Sequence, residues 1–168
     1  MCRNALVTDV VLGGPGGAEP RTRVLRVVNT HLESLPQGTA QRVVQMGVIA
    51  GLLKKEGMLG GIVGGDMNAI AASDKTLAEK NGLADAWEED KRDGSAEDGT
   101  TWGYQPKTIY PPGRLDKILY TKKDDLKVRD VRRIAVGLEI PGIGWVSDHY
   151  GLSCRVEAQG KTSEKAEL

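Results

Sequence analysis

Gly64-Gly65-Asp66-Met67-Asn68, directly after the apolar pair Ile62-Val63, is the stretch on which the reading of the fold turns. A short apolar run bounded by glycines predicts a buried strand over 61–65. Asp66 and Asn68 are delivered at its mouth. Along an extended chain side chains alternate, so these two point to the same side. Asp66 brings an anionic carboxylate, and Asn68 a neutral amide that both donates and accepts. Such a pair suits a site that holds a phosphate, a divalent metal and an attacking water together. Gly-Asp-x-Asn is equally a turn sequence, and at this point both readings stand.

Upstream, Ala5 to Leu12 is rich in Val and alternates loosely, as a strand does. Residues 13–22 form a Gly/Pro-rich connector expected on the surface. Val24 to Asn29 reads as a second strand, the hairpin partner of the first, and runs directly into Thr30-His31-Leu32-Glu33-Ser34. From Thr39 to Lys55, Val43, Met46, Ile49, Leu52 and Leu53 recur at helical spacing. Lys54 and Lys55 suit the negative end of that helix, and Gly57 is a natural stop.

Downstream, Asp74 to Lys80 predicts a short helix capped by Ser73. Ala84 to Thr101 is acidic and reads as a solvated loop. Trp102-Gly103-Tyr104 with Pro106, Pro111 and Pro112 predicts an ordered surface loop. Strand character returns over Arg114–Thr121, Leu126–Val136 and Leu152–Val156. Residues 160–168 are charged and lack apolar periodicity, which predicts a frayed tail. Strands outnumber helices, so the expectation is an α+β domain, a largely antiparallel sheet with a helix on one face.

Composition bounds the function. The chain has 168 residues, enough for one domain with a real core. Lys+Arg and Asp+Glu are both 23, so no bulk field draws nucleic acid, and a phosphate must be attracted by local charge. Cys2 and Cys154 read as two thiols in a reducing compartment, and there is no Cys/His zinc spacing. No apolar run approaches a membrane span and no secretion signal is visible. A soluble, intracellular protein of cytoplasm or nucleus is the expectation.

Four places put a polar group at or near a strand end: Asn29 to Glu33, Asp66 with Asn68, Asp116, and Asp148 with His149. A carboxylate beside a histidine orients the imidazole and raises its pKa, making it a proton donor or a cation for phosphate. Three Asp and two His in a dry cleft could hold a divalent metal and organise in-line attack on phosphorus. Each also has a plain structural explanation. His31 fits a satisfied core histidine, Asp116 a carboxylate paired with Arg114 or Lys117, and Asp148 a turn or helix cap.

Taken together, Asn29-Thr30-His31-Leu32-Glu33-Ser34, Gly65-Asp66-Met67-Asn68, Arg114-Leu115-Asp116-Lys117-Ile118 and Ser147-Asp148-His149 closely resemble, in order and spacing, the last motifs of the endonuclease/exonuclease/phosphatase family. Thr-His-Leu-Glu-Ser, Trp102 between motifs, and Ser-Asp-His-Tyr-Gly-Leu are most similar to the branch that contains 5′-tyrosyl-DNA phosphodiesterase. The resemblance runs from about Asn4 to Val156. It implies an α/β fold, part of a four-layer α/β/β/α sandwich, and a Mg2+-dependent (or Mn2+-dependent) phosphodiesterase or nuclease of the kind used in DNA repair. It also implies roles. Asp66 orients or deprotonates the attacking water, and Asn68 holds the scissile phosphate and supports that geometry. His149 stabilises the developing phosphate charge, with Asp116 fixing its tautomer. Asp148 lies beside the metal or binds it through water, and His31 contacts the phosphate or assists the leaving group.

One departure qualifies the resemblance. In the family an upstream Gln-Glu motif supplies the principal metal ligand, and no such motif precedes His31. Residues 1–158 therefore read as the carboxy-terminal portion of such a domain, with 159–168 a disordered tail. A sheet without its partner would expose an apolar face and invite association, and activity is expected to be weak or absent. Two alternatives stay open: a phosphomonoesterase acting on a small substrate, and a catalytically dead module that binds phosphate or nucleic acid.

Overall fold

The computed structural model describes residues 3–12, 23–90 and 99–158. Strands β1 (Ala5–Leu12) and β2 (Arg23–His31) pair antiparallel, as their alternation predicts. Helix α1 (Thr39–Leu53) then carries the chain back so that β3 (Gly60–Asp66) lies parallel to β2, a β-α-β crossover. After a 3-10 turn over Ala72–Thr76 come α2 (Leu77–Lys80), β4 (Leu83–Asp85) and α3 (Ala86–Glu89). β5 (Asp116–Thr121) pairs antiparallel with both β3 and β4, giving a five-stranded sheet in the order β1-β2-β3-β5-β4. β6 (Leu126–Ile134) and β9 (Gly151–Ala158) form a separate antiparallel pair, and a small hairpin joins β7 (Glu139–Ile140) to β8 (Gly144–Trp145).

The sheet has two dissimilar faces. Val28, Val63, Leu119 and Leu83 pack under α1 through Met46, Ile49, Ala50 and Leu53. On the other face Leu25, Ile62, Ile118 and Tyr120 meet Leu126 and Val128 of the β6–β9 pair. The layers are thus helix, large sheet and small sheet, a mixed α/β architecture dominated by antiparallel pairing. At β1 this core is only partly covered: Leu12 packs against it, whereas Leu6 remains 70% exposed and Val10 38%. None of the described helices is long and apolar enough to cross a membrane.

Several local expectations change. Ser73 does not cap a helix; the Asp74 carboxylate instead accepts the Ala71 N–H at 2.8 Å, closing the turn from within. The acidic stretch from Ala84 is not simply solvated. Asp85 accepts the Trp87 N–H at 3.2 Å to start α3, whose Ala86 and Trp87 are buried. The strand expected over Leu126–Val136 stops at Ile134 and bulges between Arg129 and Arg132, where Asp130 takes a positive φ of 53°. Cys154 is a half-buried free thiol, its pKa raised by burial. The 13–22 connector, Cys2 and the 160–168 tail lie outside the described residues.

Candidate active site

β2, β3 and β5 bring their polar ends to one edge of the sheet. His31 stands opposite Asp66 in the β2–β3 register, and Asp66 opposite Asp116 in the β3–β5 register. They form a row across three strands, on the face that carries Ile62, Ile118 and Tyr120 further in. Gly65 makes this packing possible. Its φ is 146°, and a Cβ there would run into the Thr30 carbonyl oxygen.

The turn reading of Gly-Asp-x-Asn describes the local backbone. β3 ends at Asp66, and Asn68 sits at φ 44° in a turn, so the turn and not strand alternation brings the two side chains together. Asp66 Oδ1 accepts the Asn68 backbone N–H at 2.8 Å, and Oδ2 accepts the Asn68 amide at 3.3 Å. The same amide donates to the Leu32 carbonyl at 3.1 Å. Asn68 is buried with both amide hydrogens committed inward, which makes it a support for Asp66; a direct grip on phosphate would cost one of these bonds. Burial pushes the Asp66 pKa up; the Asn68 N–H opposes this, and the nearby Asp116 charge adds to it.

His149 comes from the segment entering β9. Its Nδ1 lies 2.7 Å from Asp116 Oδ2, and that hydrogen bond raises the imidazole pKa against the opposing effect of burial. Asp116 is free for this because Arg114 and Lys117 are engaged elsewhere. Arg114 donates to Asp85 at 2.8 Å and to Glu88 at 3.0 Å, and Lys117 donates to Asp85 at 3.3 Å. The partners expected for Asp116 therefore belong to Asp85. Burial would raise the Asp85 pKa, but the hydrogen bond and charge of Arg114, with Lys117, bring it below the ordinary value. Burial is also the main reason the Lys117 pKa is lowered.

His31 is not a core histidine. Its side chain is 53% exposed, with Nε2 3.3 Å from Asp66 Oδ2. Asp148 does not join the cluster closely: its side chain is 67% exposed and its carboxylate is 4.0 Å from His149 Nε2. It does not cap the turn either; the Ser147 hydroxyl accepts the His149 N–H at 3.0 Å.

Two supports were not foreseen. Thr101 is fully buried; its hydroxyl accepts the Leu115 and Asp116 N–H groups and its carbonyl the Tyr150 N–H. Gln105 donates to the Ser147 and His149 carbonyls at 3.1 and 3.2 Å. Trp102 lies beside His149, ring centroids 6.4 Å apart. All three fall in stretches read as loop, where no periodicity marks a buried residue.

A family model described as the endonuclease/exonuclease/phosphatase family matches residues 4–149. The chain belongs to this family. Comparison with curated proteins at the sequence level returns no match. Among solved structures, humanized D. rerio TDP2 carrying 14 mutations is 22% identical, with a TM-score of 0.67 over 93% of this chain and 61% of that one. D. rerio TDP2 complexed with a single-strand DNA product is 20% identical, with a TM-score of 0.66 over 93% and 62%. A mannosyl-6-phosphatase of Bacteroides thetaiotaomicron is 20% identical, with a TM-score of 0.53 over 80% and 51%. At these identities the likeness is one of fold. The chain spans about three fifths of the TDP2 structures it matches.

Enzymes of the family are hydrolases and generally depend on a divalent metal. Mg2+ asks for a near-octahedral set of oxygen ligands. Here both Asp66 oxygens accept hydrogen bonds from Asn68, and Asp116 Oδ2 is held by His149. Among the described residues no group of three or more His, Cys, Asp or Glu is placed to hold a metal ion. The expected gathering of three Asp and two His round one ion therefore does not occur within them. The described residues do not by themselves supply the near-octahedral oxygen set that Mg2+ asks for.

Proposed function

We propose that this chain carries the water-orienting and phosphate-neutralising part of a phosphoesterase site, with phosphodiesters such as DNA ends as the substrate class. The observation that carries the proposal is the Asp116–His149 pair at 2.7 Å with Asp66 directly across the ladder from Asp116. A carboxylate whose pKa burial raises stands next to an imidazole whose pKa the Asp116 hydrogen bond raises, an arrangement suited to a base beside a cation.

The roles follow from the atoms. Water attacks phosphorus as the Asp66 carboxylate orients it and takes up its proton, with Asn68 fixing both carboxylate oxygens. His149, kept protonated by Asp116, faces the charge that grows on the phosphoryl oxygens. His31, exposed at the rim, reaches the phosphate or the departing oxygen. The DNA-end reading draws support from the Thr-His-Leu-Glu-Ser and Ser-Asp-His-Tyr-Gly-Leu motifs and from the fold shared with a TDP2 complexed with a single-strand DNA product. Asp148 would lie nearest any bound Mg2+ or Mn2+. Because the described donors do not complete such a site, turnover by this chain alone is expected to be slow.

The test is hydrolysis of bis-p-nitrophenyl phosphate, p-nitrophenyl phosphate and a 5′-phosphotyrosyl oligonucleotide, with Mg2+ or Mn2+, by the chain and its Asp66→Asn variant. Slow diester hydrolysis that Asp66→Asn abolishes is the expected result. Preference for the monoester would favour the small-substrate reading, which the zero net charge also fits. Phosphate binding unchanged by Asp66→Asn, with no turnover in either protein, would make the chain a binding module. Ordinary turnover with Mg2+ would overturn the expectation of slow activity.

A further inference from the structure

Arg42 of α1 is fully buried, and all of its guanidinium donors are used. Nη1 donates to the Glu33 carbonyl at 3.0 Å and the Leu35 carbonyl at 2.9 Å. Nη2 donates to the Thr39 hydroxyl at 2.9 Å and to Asp74 Oδ2 at 2.7 Å, and Nε donates to the same oxygen at 3.1 Å. That oxygen also accepts the Ala71 N–H at 2.8 Å. One buried ion pair therefore ties the loop leaving β2 to the turn leaving β3.

These are the segments that deliver the site. The loop begins at Leu32, directly after His31 ends β2, and the Leu32 carbonyl accepts the Asn68 amide. The β3 turn contains Asn68 itself, held at φ 44°. Leu35, whose carbonyl Arg42 holds, also stands at a positive φ of 69°, a conformation that a leucine keeps only where its surroundings enforce it. A lysine has the charge but not the fork, and cannot serve both carbonyls, the hydroxyl and the carboxylate together.

We infer that Arg42 and Asp74 are positioning residues for the candidate site, acting through the Leu32 carbonyl and the Asn68 amide to fix Asp66. The inference rests on the proposed function for its catalytic meaning, but its geometry is testable without turnover. A buried ion pair need not stabilise a fold by itself. This one joins the two loops that meet at the Asp66–Asn68 turn.

The test follows the Asn68 side-chain amide by NMR in the free, full chain, with the Asn81 amide as internal reference. Asn81 donates to the Leu77 carbonyl at 2.8 Å on α2 and is not held by the Arg42 fork. In Arg42→Lys the Asn68 amide is expected to shift and to exchange with solvent at least tenfold faster, while Asn81 is unchanged. Asp74→Asn, which can keep an amide oxygen at the Oδ2 position for all three donors, should shift Asn68 less. Should Arg42→Lys fail to fold, Thr39→Ala removes one acceptor from a half-buried position and should move Asn68 in the same direction by less. An unmoved Asn68 amide in a folded variant, or equal loosening of Asn81, overturns the inference. A wild-type chain without hydrolysis would overturn the proposed function alone. In an active chain, Arg42→Lys should lower kcat with KM nearly unchanged.

Discussion

The two histidines of this chain occupy the same edge of the same sheet and are held in opposite ways. His149 is 22% exposed and bonded at 2.7 Å to a carboxylate whose neighbours Arg114 and Lys117 pair with Asp85 instead. His31 is 53% exposed and lies 3.3 Å from a carboxylate already holding two donors of Asn68. A short, partly buried, charge-assisted bond fixes ring orientation and proton; a longer exposed contact fixes neither firmly. The difference separates a group preorganised for charge from one free to follow a ligand. It also shows why Asp85 matters: by collecting Arg114 and Lys117 it leaves Asp116 to the imidazole.

The strongest way to break this picture is at the carboxylate between the two rings. Asp66→Asn should lower diester hydrolysis by about 10³-fold, the range for losing a positioned base. Steady-state kinetics would show it in kcat. A loss below about tenfold would mean that water is oriented elsewhere. His149→Ala should cost on the order of 100-fold, as expected for one preorganised donor to a developing oxyanion, with little change in KM. An equal effect from His31→Ala would erase the distinction drawn between the rings.

The contrast between contiguous and assembled structure also explains what could be read without coordinates. Ala5–Leu12 is a strand with the predicted ends, and α1 begins at Thr39 as its apolar spacing required. Such elements write their burial into a local period. The crossover that makes β2 and β3 parallel leaves no local trace, because pairing direction is decided by where α1 packs. The β7–β8 hairpin was missed because its strands are two residues each and largely exposed, so no alternation marks them. Within the site, Asp66 with Asn68 was legible as a string. Thr101 and Gln105 were not, since each works by holding backbone from distant segments. Asp85 was hidden in an acidic run whose composition looks like solvated surface.

A pH experiment sharpens the comparison on the His149 side. The His149 pKa is raised by the Asp116 hydrogen bond, so folding takes up that proton more tightly than the unfolded chain does. The resulting stability is fully present below about pH 6.5, the ordinary histidine value, and is lost as pH rises through the raised one. Asp66 acts in the same sense lower on the scale. Its carboxyl is pushed up by burial, so its contribution is present below about pH 3.9 and lost above the raised value. Denaturation midpoints measured from pH 5 to 9 should fall across the histidine window in the native chain. In Asp116→Asn that slope should flatten and the window move down. A slope unchanged by Asp116→Asn would mean the 2.7 Å contact does not hold the proton.

The smallest effect belongs to His31. An exposed contact of this kind is worth about 1 kcal/mol or less, so His31→Ala should reduce kcat/KM by about fivefold. If the ring's part is to follow the ligand, the loss should fall mainly on KM and grow with substrate length, from bis-p-nitrophenyl phosphate to an oligonucleotide. His31→Gln, which keeps a donor of similar reach, should recover part of it on the oligonucleotide alone. Raising the salt concentration should shrink the His31 effect, because the exposed pair is screened. The His149 effect should persist, since the half-buried pair is screened much less. A His31 loss that is independent of salt and confined to kcat would place this ring in the same preorganised class as His149, and the asymmetry between them would be one of exposure only.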